Sequence, residues 1–259
     1  MSHNEVVIGP DADLLGKAIA ARIVTRLVDA QAANGHASIV LTGGRLGIGA
    51  LRELRQSPAR DAVDWRLVDV WWGDERFLPT GDPERNDTQA DEALLGALPL
   101  DPARVHRFPA PDGPLGDDPE AAAQAYAKEL AAAAGPDEGD VPRFDVLMLG
   151  VGEEGHTASI FPESPAVYDE RPVVAVRECP KPPPIRLSLT FSSIAAATEV
   201  WLATTGAEKA EAVASALTGA TPAQIPAAGA KGRSRTIWLL DRAAASKLPP
   251  ELRPGRQLR

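Results

Sequence analysis

One cysteine, Cys179, occurs in 259 residues. An intramolecular disulfide is therefore impossible, and beside Pro180 this thiol reads as an inert, small side chain. Long apolar runs are missing as well, and none approaches the length that spans a bilayer. The opening residues, Met1-Ser2-His3-Asn4-Glu5, lack a basic-then-apolar signal. A soluble, cytoplasmic protein with no membrane partner is expected. The four histidines, His3, His36, His106 and His156, lie far apart and form no ligand-spaced pair, so neither a metal nor a cofactor is expected. Excess positive charge is lacking too. A net charge of −9 argues against nucleic acid as a partner. An anionic substrate would need a local basic pocket, which makes individual Arg and Lys residues interesting. No Gly-x-Ser-x-Gly elbow is present, so a serine nucleophile of that kind is excluded.

What is there is a chain with 44% hydrophobic and 24% charged residues, enough for a full core in one α/β domain. The segment from Phe144 to Ser159 organises it. A short apolar run, Val146 to Leu149, fits a strand buried on both faces of a parallel sheet. Gly150, Gly152 and Gly155 follow, then His156. A strand, a Gly-rich turn and a histidine at the strand's C-terminal end is where open α/β sheets place ligands. Histidine is also suited to proton transfer near neutral pH. The alternative is a histidine that only packs in a turn.

Elsewhere, Val6-Val7-Ile8 reads as a strand. Asp11 caps a helix to about Ala33, with Leu15, Ile19, Ile23 and Leu27 as its buried stripe and Gly35 as its stop. A strand at Ser38 to Leu41 enters Thr42-Gly43-Gly44-Arg45, then a helix from about Leu46 to Arg55. Free N–H groups and a positive dipole end there suit a phosphate, although a plain strand-to-helix turn has the same pattern. Leu67 to Trp72 is a strand leading into Gly73-Asp74-Glu75-Arg76. Arg76 is either an anion clamp or half of a local ion pair. Trp71 and Trp72 are expected in the core and the pocket wall. The region 79–118, rich in Pro, Gly and Asp, reads as a lid or insertion with a helix near Thr88 to Leu95. Pro119 to Ala134 is a helix, Val173 to Val176 a strand, and Lys181-Pro182-Pro183-Pro184 a rigid structural connection. Ile185 to Thr190 alternates as a half-buried strand does. The strand Glu199 to Ala203 runs into Thr204-Thr205-Gly206 and a helix from Ala207 with Lys209 in its first turn. That lysine sits unfavourably at a helix N-terminus unless an anion is present. Thr236 to Leu240 is a final strand, and Asp241 is placed to cap a last helix. Strands alternating with helices throughout imply a doubly wound, parallel sheet over a single domain spanning 1–259.

Taken together, these segments resemble the 6-phosphogluconolactonases. The matching pieces are Thr42-Gly43-Gly44, Trp72-Gly73-Asp74-Glu75-Arg76-Phe77 with Asn86 following, Leu149 to Pro162, the Pro183 to Thr190 strand, and Gly206-Ala207-Glu208-Lys209. They run in family order from about residue 41 to 240. The resemblance implies a Rossmann-like three-layer α/β/α fold with a mostly parallel central sheet. It implies hydrolysis of 6-phospho-D-glucono-1,5-lactone to 6-phospho-D-gluconate in the oxidative pentose phosphate pathway. By position, His156 is the implied general base, and Arg76, Lys209 and the Thr42-Gly43-Gly44 loop are implied phosphate contacts. Two departures stand out. The Gly-Gly loop of the family continues Ser-Thr-Pro, whereas Arg45-Leu46-Gly47 stands here, so Arg45 either replaces a hydroxyl contact to phosphate or points to solvent. The residue before Gly155 is Asp in the family and Glu154 here.

For a lactone, one base takes a proton from the attacking water and returns it to the ring oxygen. His156 suffices for both transfers, with Glu153, Glu154 or Asp74 orienting the imidazole. Turn N–H groups near Gly150 to Gly155, Gly152 among them, are the expected oxyanion donors. An amino-sugar-phosphate deaminase or isomerase of the same fold is the nearest rival. Its usual carboxylate a few residues past the histidine is absent from Thr157 to Phe161. A non-catalytic sugar-phosphate-binding regulator is the second rival, and would need Arg76 and Lys209 but not His156. The oligomeric state is left open.

Overall fold

Two sheets make the framework in the computed structural model, which describes residues 3–253. Met1 and Ser2, part of the stretch read for a signal, lie outside the described residues. In chain order the elements are β1 (His3–Gly9), α1 (Ala12–Asn34), β2 (Ala37–Leu41), α2 (Gly44–Gln56), β3 (Val68–Trp72), β4 (Asp74–Arg76) and α3 (Asn86–Ala93). Then come α4 (Pro119–Ala133), β5 (Val146–Leu149), β6 (Val173–Val176), β7 (Arg186–Leu189), α5 (Phe191–Ile194), β8 (Glu199–Thr204), α6 (Ala210–Leu217) and β9 (Arg235–Asp241).

The larger sheet has the order β1-β9-β8-β5-β2-β3, and its neighbours pair in parallel. Its central strands are apolar because helices cover both faces. All four residues of β5 and all five of β2 are buried. Each large aliphatic side chain so placed stabilises the fold by about 1.5–3 kcal/mol relative to exposure. The helix α1 forms where expected. Asp11 accepts from the Leu14 amide at 2.9 Å, Gly35 takes φ 79°, and Leu15, Ile19, Ile23 and Leu27 are buried. Among the described residues, no helix is long and apolar enough to cross a membrane.

The smaller sheet, β4-β7-β6, is antiparallel and is not anticipated by the alternation of strands and helices. Gly73 joins the two sheets. Its amide donates to Leu41 O at 3.0 Å, and its carbonyl accepts from Leu189 N at 2.9 Å. What reads as a charged loop after β3 is thus strand β4, with Asp74 opposite Ser188.

Other expectations need correction. The helix expected from Ala207 opens with a 3-10 turn, Ala207–Lys209, and becomes α-helical at Ala210. Among the described residues no α-helix follows Asp241, only turns and a short 3-10 turn at Pro250–Leu252; the Asp241 carboxylate accepts from the amide of Ala244, as a cap does, and also from that of Gly206. Trp71 and Trp72 are both 1% exposed and belong to the core, with Trp71 stacked on His106 at 3.6 Å. The segment 79–118 carries α3. It is stitched to β3 by His106 N on Val70 O at 2.9 Å and by Tyr126, which donates to His106 O and accepts from Trp72 N.

Along the chain, β2 is followed by β3 on one side of the sheet, and β5 by β8 on the other. The adjacent strands β2 and β5 therefore mark a topological switch point, and the crevice beyond their C-terminal ends is the natural ligand position.

Candidate active site

A cavity of about 310 Å³ occupies that crevice. Its size falls within the range that holds small ligands. Thr42, Gly43, Gly44 and Arg45 reach it from the β2–α2 junction, and Asp74 and Arg76 from β4. Gly152 and His156 line it from the turn after β5, and Lys209 from the foot of α6. Of the residues expected at the site, Glu154 and Glu153 are not in the wall: Glu154 stands beside His156 Nδ1, and Glu153 pairs with Lys209 instead of the imidazole.

The turn after β5 is built around the imidazole. A Cβ on Gly152 would come within 2.0 Å of His156 Nδ1, so glycine is required for the ring to lie there. Gly152 N donates to His156 O at 2.9 Å, and Gly155 N donates to Gly152 O at 3.1 Å. These two amides are engaged within the turn. Gly152 therefore serves by leaving space for the imidazole, and neither amide is free to act as the expected oxyanion donor. Phe161 covers one face of the imidazole, with ring centroids 4.6 Å apart at 28°.

His156 Nδ1 is wholly buried, and Glu154 Oε1 lies 3.0 Å from it. The pair does not have the alignment of a hydrogen bond, so the contact is chiefly one of charge. The other ring nitrogen, Nε2, is not enclosed in this way and is the one left to face the cavity. Burial is the main cause that lowers the His156 pKa below its ordinary value. The Glu154 charge opposes this, and the Lys181 charge adds to it. Partial burial tends to raise the Glu154 pKa, but its bond from Lys181 and the nearby imidazole outweigh that and hold it low. Asp74 is 7% exposed, and its Oδ2 accepts from Ser159 Oγ at 2.7 Å.

Five basic side chains line the cavity, Arg45, Arg76, Lys181, Arg186 and Lys209, against two carboxylates, Asp74 and Glu208. Arg76 donates through Nη1 to the Glu84 carbonyl, while its buried Nε has no partner among the described residues. Lys209 Nζ donates to Glu153 Oε1 at 3.1 Å, which supplies the counter-charge for a lysine at a helix start. Arg45 is exposed and makes no ion pair with a described residue.

Beneath Arg76 lies a buried polar cluster. Glu75, 1% exposed, accepts from the amides of Arg76, Asn86 and Asp87 at 2.8, 2.7 and 2.9 Å. Arg85, 2% exposed, grips Asp87 with two bonds of 2.9 and 2.8 Å. Burial, with help from the Asp87 charge, pushes Glu75 up to about 7, against the pull of Arg85 and the amides. This cluster fixes the start of α3 and with it Asn86. Asn86 lines the cavity; its Nδ2 donates to Asp74 O at 2.8 Å, and its buried Oδ1 lies against Gly43 with no hydrogen-bond partner among the described residues.

Three wall residues escape the sequence reading. Asn86 sits inside the matched pattern, but nothing there distinguishes a wall residue from a helix start. Lys181 reads as part of a proline-stiffened connection, and Arg186 as a residue of an alternating strand. The signal available was charge: a basic pocket in a chain of net charge −9 makes every unpaired cation near a matching segment a candidate. The rival carboxylate past the histidine, Glu163, is exposed and does not line the cavity.

Comparison with known proteins places the chain in a family. Residues 10–238 match the model of the family described as glucosamine-6-phosphate isomerases/6-phosphogluconolactonase. A 6-phosphogluconolactonase of Streptomyces coelicolor is 60% identical over 252 residues, covering 96% of this chain and 97% of that protein. One from Mycobacterium tuberculosis is 49% identical over 247 residues, covering 95% and 99%. The solved 6-phosphogluconolactonase of Trypanosoma brucei superposes with a TM-score of 0.79 at 28% identity, covering 96% of this chain and all of that one. The chain belongs to the glucosamine-6-phosphate isomerase/6-phosphogluconolactonase family.

Proposed function

We propose that this protein hydrolyses 6-phospho-D-glucono-1,5-lactone to 6-phospho-D-gluconate in the oxidative pentose phosphate pathway. The observation that carries the reading is a single imidazole, backed by a carboxylate, in the wall of a small cavity rich in cations. The relatives named 6-phosphogluconolactonase, similar over nearly the full chain, support the same substrate.

In the proposed reaction the phosphate rests against Arg76 and Lys209 and the Thr42-Gly43-Gly44 turn. Arg45 adds a charge where the family carries a hydroxyl. Glu154 stands beside Nδ1 and favours the tautomer with its proton on that nitrogen, leaving the Nε2 lone pair for water. Water attacks C1 as Nε2 takes its proton, and a tetrahedral oxyanion forms. The same proton then passes to the ring oxygen as the C1–O bond breaks. Asp74, fixed by Ser159, adds negative potential that favours the imidazolium formed midway. The segment 79–118 is read as an insertion that carries Asn86 to the wall, where its side chain packs against Gly43 of the loop proposed to hold phosphate.

The deaminase or isomerase reading is disfavoured because Thr157 to Phe161 carry no carboxylate and Glu163, the first one beyond them, does not line the cavity. The test is lactone consumption at pH about 7 with the spontaneous rate subtracted at each point. A rate no higher than the blank from folded protein overturns the proposal.

A further inference from the structure

The cavity wall holds one cation that faces the acid–base pair instead of the region assigned to phosphate. Lys181 Nζ donates to Glu154 Oε2 at 2.9 Å, and the second oxygen of the same carboxylate lies 3.0 Å from His156 Nδ1. The lysine is itself held. Arg186, 6% exposed in β7, donates from Nη2 to the carbonyls of Lys181 and Pro182 at 3.2 and 3.0 Å. Its Nε donates to Pro183 O at 3.3 Å. The same guanidinium lies 5.8 Å from the centroid of the Phe161 ring that stacks on His156. Arg186 thus fixes the segment on one side of the imidazole and packs on the ring that covers its face.

We propose that Lys181 is a positioning residue for the reaction, acting through Glu154 to hold His156. This inference rests on the lactonase reading above. The physical need is specific to this chain. Glu154 has one methylene more than the aspartate of the family pattern, hence one more rotatable bond and more rotamer freedom to restrain. Glu154 is about a third exposed and its contact to Nδ1 lacks hydrogen-bond alignment, so that contact alone does not fix the carboxylate. A charge-assisted bond from Lys181 to the other oxygen supplies the missing restraint. The Lys-Pro-Pro-Pro run then acquires a purpose: its stiffness, with the Arg186 clamp, fixes where the ammonium sits.

Charged groups bearing on His156 come from four elements: Glu154 on its own turn, Lys181 on the proline segment, Asp74 on β4, and Arg186 on β7 through Phe161. Removing Lys181 takes away a positive charge that disfavours the imidazolium and also frees Glu154. Both kcat and the acid limb of the pH profile should respond.

The experiment measures kcat, KM and the pH–rate profile for the wild type, Lys181→Met, Lys181→Arg, Glu154→Gln and the Lys181→Met/Glu154→Gln double variant, with folding checked by thermal unfolding. Lys181→Met should lower kcat by about 10-fold, the low end of what losing an orienting outer partner costs, and move the acid limb to higher pH. Lys181→Arg should restore most of the rate. In the Glu154→Gln background the Lys181→Met change should have no further effect on kcat, because the relay is already broken. A rise in KM with kcat intact shows that Lys181 touches substrate directly and overturns the inference. So does an additive loss in the double variant, or no change at all. A wild type without lactonase activity defeats the reading of function instead, and is distinguishable because it appears before any variant is compared.

Discussion

At the scale of single residues, the proposed chemistry rests on an imidazole whose inner nitrogen is buried beside a carboxylate. His156→Asn keeps approximate size but cannot take a proton near neutral pH. It should lower kcat by about 10²–10⁴-fold, the usual worth of one acid–base group. KM should change little, since the cations assigned to phosphate lie elsewhere in the wall. The pH dependence has a definite sign. The base works only when neutral, and burial chiefly, with Lys181, lowers its pKa below the ordinary histidine value of about 6.5. Activity should therefore persist on the acid side of that value and fall only as pH drops through the lowered pKa. Stability follows the same direction. The unfolded chain takes up this proton first, so the contribution is present above about pH 6.5 and is lost as the folded group titrates. A rate that already halves above pH 6.5, after subtraction of the spontaneous reaction, would contradict the environment described for His156.

At the scale of elements, two glycines of α2 give opposite expectations from the same substitution. Alanine normally stabilises a helix interior by about 0.5–1 kcal/mol over glycine. Gly49 has nothing within 4 Å of a built Cβ, so Gly49→Ala should gain stability in that range. At Gly47 the same atom would lie 2.6 Å from Thr42 O and 2.8 Å from Thr42 Cγ2. The first turn of α2 must then move off the end of β2, and with it the loop proposed to hold phosphate. Gly47→Ala should lower the melting temperature and raise KM, and a stabilised variant with unchanged KM would refute the tight approach. That contact also marks where the sequence stopped being legible. Buried apolar runs such as Val146 to Leu149 announce parallel strands, and Asp11 with Gly35 brackets α1, because those signals are local. Strand β4 was hidden, since Asp74-Glu75-Arg76 carries the charges of a loop. Its partner β7 lies more than a hundred residues on, and only tertiary pairing explains burying Asp74 and Glu75. The expected helix after Asp241 failed for the mirror reason. Asp241 does accept from the amide three residues on, as a cap would, but it is also tied to Gly206 beyond the neighbouring strand β8, and only turns follow it. The site followed the same division. Thr42 to Arg45, Asp74, Arg76, Gly152 and Lys209 could be placed from motifs at strand ends, whereas Asn86 and Arg186, though inside matching segments, carried no signal of a role there, and Lys181 lies just outside one.

At the scale of the whole molecule, the charge distribution poses a definite physical problem. A chain of net charge −9 repels an anion at long range, yet five basic side chains against two acidic ones line one crevice. Near the mouth the local field dominates, because at physiological salt the Debye length is about 8 Å and the distant carboxylates are screened. Raising ionic strength therefore has two opposing effects. It screens the unfavourable net charge, and it weakens the attraction within the cavity. In the proposed complex the cavity cations make short contacts to phosphate oxygens, and these outweigh a remote repulsion that is already screened. KM for the phosphorylated lactone should thus rise with salt. Arg76→Ala should raise KM more than it lowers kcat, because the phosphate sits away from the reacting carbon. Arg76→Ala should also flatten the salt dependence, as one of the screened contacts is gone. The unphosphorylated lactone serves as the control: it lacks the charge, so its turnover should vary little with salt in either protein. An unchanged KM for Arg76→Ala with phosphorylated substrate, or an equal salt response for the two lactones, would remove Arg76 from the anion site and leave it as the anchor of the Glu84 carbonyl alone.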